Sequence, residues 1–306
     1  MSLLAINHHY FREAGTGRGI YPTTPRALQD EVRELRRAGW RVGTEADILA
    51  YVAGELSDSD RVAILTFDDG LREQMDAISL LDDMGATAIC YVPTAPLARL
   101  HVLDVHKLQM IRSHVEDTRI AEELDREFAF SKQEFDESAL AIQYRYDDPL
   151  ARRVKYFLNF MLEESVRVAW TASYFQDCFG DESAIADDLY MSPADLRELA
   201  GRHLLGSHAH SHVPLARLSV DRLEDELVRS RDFLEAQTAA LPAGVSYPFG
   251  GKSAVGDEVF RMAAECGFRY GFTMERGINT VAGPECALSL KRIDINDLGS
   301  WLNPTK

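Results

Sequence analysis

The 306-residue chain has little from which to build a disulfide framework. Its 4 cysteines, Cys90, Cys178, Cys266 and Cys286, are scattered, and no C-x-x-C pair occurs. They read as buried thiols in a reducing compartment. Long hydrophobic runs are also missing, so nothing approaches the ~20 apolar residues of a membrane-spanning helix. The apolar start, Leu3 to Ile6, stops at Asn7, His8 and His9, too soon for a secretory leader. A cytoplasmic location is expected. Positive charge is scarce: 33 Lys and Arg stand against 49 Asp and Glu, for a net charge of -16. That balance excludes nucleic acid and anionic membrane surfaces as natural partners and disfavours strongly anionic polymers as substrates. What remains is globular in composition, 46% hydrophobic and 27% charged, and long enough for one elaborated domain or two smaller ones.

Short apolar runs alternate with amphipathic segments. Strands are expected at Leu3 to Asn7, Arg61 to Phe67, Ala86 to Val92, His203 to Ser207, Gly244 to Tyr247, Phe268 to Thr273 and Ala287 to Ile295. Helices are expected after Thr24-Pro25, from Leu71, after Ser192-Pro193, from Ser219 to about Leu241, and from Gly256 to Glu265. About seven such repeats imply an α/β fold, a (β/α) barrel of parallel strands. Residues 97–190 break the rhythm. They are charged, aromatic and helical in pattern, and read as a helical insertion within a single domain spanning 1–306.

Two segments carry chemistry. Val62 to Leu65 delivers Thr66-Phe67-Asp68-Asp69-Gly70 to a strand's C-terminal end. Adjacent carboxylates repel, and a bound cation relieves this: one carboxylate ligates while the other moves protons. Downstream, Leu204-Leu205-Gly206-Ser207 runs into His208-Ala209-His210-Ser211-His212. Imidazole is a common ligand for zinc and related metals, and on a short helical turn His208 and His212 share one face. Asp69, His208 and His212 would form a site with positions left open for water and substrate. Taken alone, each segment also reads as a polar turn.

Together the two segments resemble the polysaccharide deacetylase family, also called NodB-homology or carbohydrate esterase family four. Its T-F-D-D-G motif is intact at Thr66 to Gly70, and its H-[ST]-x-x-H motif appears at His208 to His212 with Ala209 in place of Ser or Thr. The third motif, R-x-P-[YF]-G, survives as Ser246-Tyr247-Pro248-Phe249-Gly250, without its arginine. The resemblance implies a distorted barrel with its site at the strand C-termini. It also implies a divalent metal, zinc or else cobalt or nickel, on Asp69, His208 and His212. Asp68 would be the catalytic base, and Tyr247, Pro248 and Phe249 would border the substrate. Relatives commonly place the catalytic acid on a late strand ending L-x-H. Here Leu288-Ser289-Leu290 leads into Lys291-Arg292, whereas the first strand ends in His8-His9. A circularly permuted member would carry the acid there, as His9, with His8 facing the other way. Arg292 is the candidate replacement for the missing arginine.

The activity implied is metal-dependent removal of N-acetyl groups from a sugar or small glycan. The alternatives are hydrolysis of a non-sugar cyclic amide or imide, and a degenerate relative that binds glycans without turnover.

Overall fold

The computed structural model of the chain describes residues 1–13, 21–99 and 101–302. Eight strands form one sheet: β1 (Ser2–His8), β2 (Arg41–Val42), β3 (Arg61–Phe67), β4 (Ala88–Val92), β5 (Leu205–Ser207), β6 (Gly244–Ser246), β7 (Tyr270–Phe272) and β8 (Arg292–Asp294). Seven of them run in the order β7-β6-β5-β4-β3-β1-β8, and β2 adds to β3 at Val62 and Ala63. All ladders are parallel. A bridge from Phe272 to Leu290 brings β7 back to the segment before β8. There Leu290 N donates to Gly271 O at 2.8 Å and Thr273 N to Leu290 O at 2.9 Å. The sheet is therefore a nearly closed, distorted (β/α) barrel.

Alternation along the strands decides what faces in and what faces out. Leu3, Ala5, Val62, Ile64, Ile89, Tyr91, Tyr270 and Phe272 form one buried cluster with Ile48 and Tyr51 of helix Glu45–Ala53. Their neighbours Leu4, Ile6, Ala63, Leu65 and Phe67 pack outward with Leu28, Val32 and Leu35 of helix Pro25–Arg37 and Ile78 and Leu81 of helix Gln74–Asp83. Two glycines make the inner cluster possible. A Cβ on Gly206 would lie 2.3 Å from the Tyr91 ring, and one on Gly244 would lie 2.1 Å from the Tyr270 ring. The two tyrosines fill this space, and their hydroxyls join at 3.1 Å, with Tyr270 donating onward to Glu45 at 3.0 Å.

The first and last strands are neighbours, with Ala5, Ile6 and Asn7 in register with Arg292, Ile293 and Asp294. The last strand is shorter than the pattern suggested. Pro284–Ser289 winds into a 3-10 turn, so the strand proper is Arg292–Asp294, preceded by the single bridge at Leu290.

The chain divides into two compact units. Among the described residues, the barrel unit comprises 1–13, 22–99, 101 and 186–302, and the second comprises 21 and 102–185. The second is helical, including Asp104–His114, Asp117–Phe128 and Glu164–Phe179, and lies inside the span expected for the insertion. Several of its aromatics are core: Phe130 and Phe157 are buried with ring centroids 5.3 Å apart.

Candidate active site

The inward positions at the strands' C-terminal ends are polar. Inward alternation on β3 takes Thr66 to Asp68; on β6 and β8 it presents Ser246 and Arg292. The turn beyond β3 is tight, with Asp69 at φ 80 and Gly70 at φ 63. A Cβ on Gly70 would come within 2.8 Å of Val92, so glycine fits both the backbone and the space.

Arg292 holds Asp68 with a two-pronged grip. Nη1 donates to Oδ1 at 2.9 Å and Nη2 to Oδ2 at 2.7 Å. The same guanidinium donates to Thr66 Oγ1 at 3.1 Å and Ser246 Oγ at 2.9 Å, and Ser246 Oγ donates to Asp68 Oδ2 at 3.1 Å. Both partners are almost fully buried. Burial alone would raise the Asp68 pKa, but Arg292, with lesser help from His208 and His9, holds it below the ordinary carboxylate value. The arginine absent at Ser246 is thus replaced in space from β8, with Ser246 itself in the network.

Asp69 Oδ1 lies 3.5 Å from His208 Nε2 and 3.3 Å from His212 Nε2. The ligand-capable atoms of the three residues all fall within 4.8 Å of one another. His208 Nδ1 faces the Ser246 carbonyl at 2.6 Å. A carbonyl only accepts, so Nδ1 carries the hydrogen and donates it. Burial pushes the His208 pKa down to about 4, against the opposing pull of Asp68 and Asp69. The ring is therefore neutral at pH 7, and its Nε2 lone pair points at a carboxylate oxygen. Lone pairs converging in a buried place fit a cation. Bonds of ~2.1 Å in tetrahedral array put neighbouring ligand atoms about 3.4 Å apart, matching both separations to Asp69.

The histidine segment is not helical. Ala209 and His212 adopt left-handed backbone, φ 57 and φ 55, and this irregular loop brings the two rings to 4.9 Å. His210 turns away, its Nδ1 2.8 Å from Thr94 Oγ1. Phe249 packs edge-on to His212 at 5.1 Å and adjoins buried Pro248. Tyr247 does not join the site, and its expected place against substrate is corrected. One residue beyond Ser246, it points outward, wholly buried against Phe260, and donates to Leu288 O at 2.9 Å.

His8 and His9 part as the strand pleat demands. His8 is buried, with Nδ1 3.0 Å from Thr66 O and Nε2 2.9 Å from Glu31 Oε2. His9 is half-buried and close enough to Asp68 to favour its charge. Gln74 donates to the backbone oxygens of both His9 and Asp68, at 2.8 and 2.5 Å. Sequence reasoning missed Gln74, and it missed Tyr10. The Tyr10 phenol is buried, and burial followed by the Asp69 charge raises its pKa. Its place directly after His8-His9 was the available signal.

A family sequence model described as polysaccharide deacetylase matches residues 142–271, a span that includes both histidine ligand candidates and Pro248-Phe249-Gly250. No curated protein matches the chain. Among solved structures, it is similar to the Streptococcus pyogenes deacetylase PplD in complex with acetate, at 15% identity and TM-score 0.58, covering 96% of this chain and 92% of that one. It is also similar to IcaB from Ammonifex degensii, at 13% identity and TM-score 0.59, covering 98% and 97%. A third is a de-N-acetylase from Aggregatibacter actinomycetemcomitans, at 13% identity and TM-score 0.57, covering 96% of each chain. At such identities the likeness is one of fold. The chain is thus similar to the polysaccharide deacetylases in its matched segment, in its fold and in the motifs at Thr66–Gly70 and His208–His212.

Proposed function

We propose that this chain is a metal-dependent hydrolase that removes N-acetyl groups from a carbohydrate. The observation that carries the reading is the convergence of Asp69, His208 and His212 beside an arginine-held Asp68. A divalent cation on those three residues, zinc or else cobalt or nickel, would polarise the amide carbonyl and acidify a bound water. Asp68, kept ionised by Arg292, accepts the attacking water's proton. The bidentate grip and Ser246 fix the direction of its oxygens. His9 protonates the leaving amine from the end of β1. Phe249, packed against His212, borders the place of the acyl group.

The test is acetate release from N-acetylglucosamine and its short oligomers, with added zinc, cobalt or nickel and with chelator. Release that chelator and His208→Ala both abolish supports the reading. Ring opening of a cyclic imide without acetate release would move the substrate outside sugars. Metal bound with no turnover on any acylated substrate would overturn the hydrolase.

A further inference from the structure

We propose that Glu226 is a positioning residue that holds the histidine loop in its metal-binding shape. The inference rests on the metal reading above.

The loop needs an external hold. It carries the two proposed histidine ligands on irregular backbone, and Ala209 and His212 occupy a left-handed region that residues other than glycine disfavour. Released, both residues would relax toward ordinary backbone and carry the rings apart. Position 209 supplies no hydrogen bond of its own through its side chain. Its methyl group is wholly buried in an apolar cluster with Val213, Leu215, Leu223 and Leu227.

The hold comes from two sides. Glu226, on helix Val220–Thr238, is buried, and its Oε2 accepts from His210 N at 3.1 Å and from Ser211 N at 2.7 Å. Two successive amides on one carboxylate oxygen are charge-assisted bonds, stronger than bonds to a neutral acceptor. On the other side Thr94 N and Ala95 N donate to the carbonyls of Ala209 and His210 at 3.3 and 2.9 Å. A buried carboxylate among Leu223 and Leu227 is costly in an apolar helix face unless it has such partners. Glu226 would act on a bound metal indirectly, through the loop backbone that carries His208 and His212. It orders them before the cation arrives and adds a negative charge behind the site.

The experiment titrates the chelated protein with cobalt, followed by visible absorption, and measures amide exchange at His210 and Ser211 in the metal-free state. Glu226→Ala is expected to weaken cobalt affinity ~10–100-fold, the usual consequence of losing a partner that orients ligands. It should also change the cobalt spectrum and speed exchange at both amides. Glu226→Gln keeps an acceptor oxygen without the charge and should fall between. Asp225→Ala, exposed next door and paired with Arg229, should match wild type. A folded Glu226→Ala with affinity within about twofold of wild type and unchanged amide protection overturns the proposal. If Glu226→Ala does not fold, Glu226→Gln with wild-type affinity and protection overturns it instead. A wild type that binds no cobalt overturns the metal reading, while the exchange arm still decides whether Glu226 holds the loop.

Discussion

Replacing Arg292 with methionine removes the guanidinium while keeping an unbranched, apolar side chain. Four hydrogen bonds go with it: two to Asp68, one to Thr66 and one to Ser246. Asp68 then keeps the Ser246 hydroxyl as its remaining side-chain donor in a site where its side chain is 3% exposed. A hydrogen bond to a charged group contributes about 1.5–3 kcal/mol net, so the two to Asp68 alone amount to about 3–6 kcal/mol. That agrees with the ~3–5 kcal/mol lost when one member of a buried ion pair is removed. Arg292→Met should therefore lower the unfolding free energy at pH 7 by about 3–5 kcal/mol, read from urea denaturation. Arg292→Lys, a point charge that cannot fork, should lose roughly half as much. A double-mutant cycle with Asp68→Asn isolates the pair, because asparagine has no charge to strand. The second substitution should then cost much less, with a coupling energy near 2–3 kcal/mol. A single-mutant loss under about 1 kcal/mol, or additive effects within ~0.5 kcal/mol, would refute the account of how Asp68 is held.

Three further outcomes follow from the site. His208→Ala should lose bound metal while His210→Ala, whose ring turns to Thr94, keeps it; elemental analysis decides, and full occupancy in His208→Ala sinks the ligand set. Asp68→Asn should retain metal yet slow acetate release ~10²–10⁴-fold, and His9→Ala should lower kcat with metal in place; a fully active variant removes that residue's role. His8 gains Glu31 as a partner, so despite burial its pKa is raised above 6.5. Its contribution to stability is full below pH 6.5 and lost as pH rises through the folded-state value. The stability gap between wild type and His8→Leu/Glu31→Leu should thus narrow with rising pH in urea titrations, and a flat or widening gap contradicts it.

Legibility in the sequence tracked how local the determinants are. The β3 strand is bounded by its own apolar run, and Thr24-Pro25 starts its helix, with Thr24 accepting from Ala27 N at 3.1 Å. Asp68, Asp69, His208 and His212 could be gathered on paper because strand C-termini of a parallel barrel share one end. Arg292 was harder: its meeting with Asp68 spans 224 residues and depends on β8 closing beside β1. Tyr247 was misplaced because its segment was read as motif and not as pleat, yet Ser246 inward forces Tyr247 outward. The helical turn expected at His208 to His212 failed on backbone conformation, since Ala209 and His212 both lie in the left-handed region. Strand β2, with Arg41 and Val42 alone, is too short to show any periodicity.

The tyrosine pair forms a floor inside the barrel. Tyr91 and Tyr270 are fully buried, joined through their hydroxyls, and seated where Gly206 and Gly244 leave room, with Ile48 and Tyr51 behind them. Among the described residues, that packing fills the barrel interior beneath the polar strand ends. A substrate bound at those ends would then meet a closed floor, and its acyl and amine fragments would have to leave on the side from which it entered.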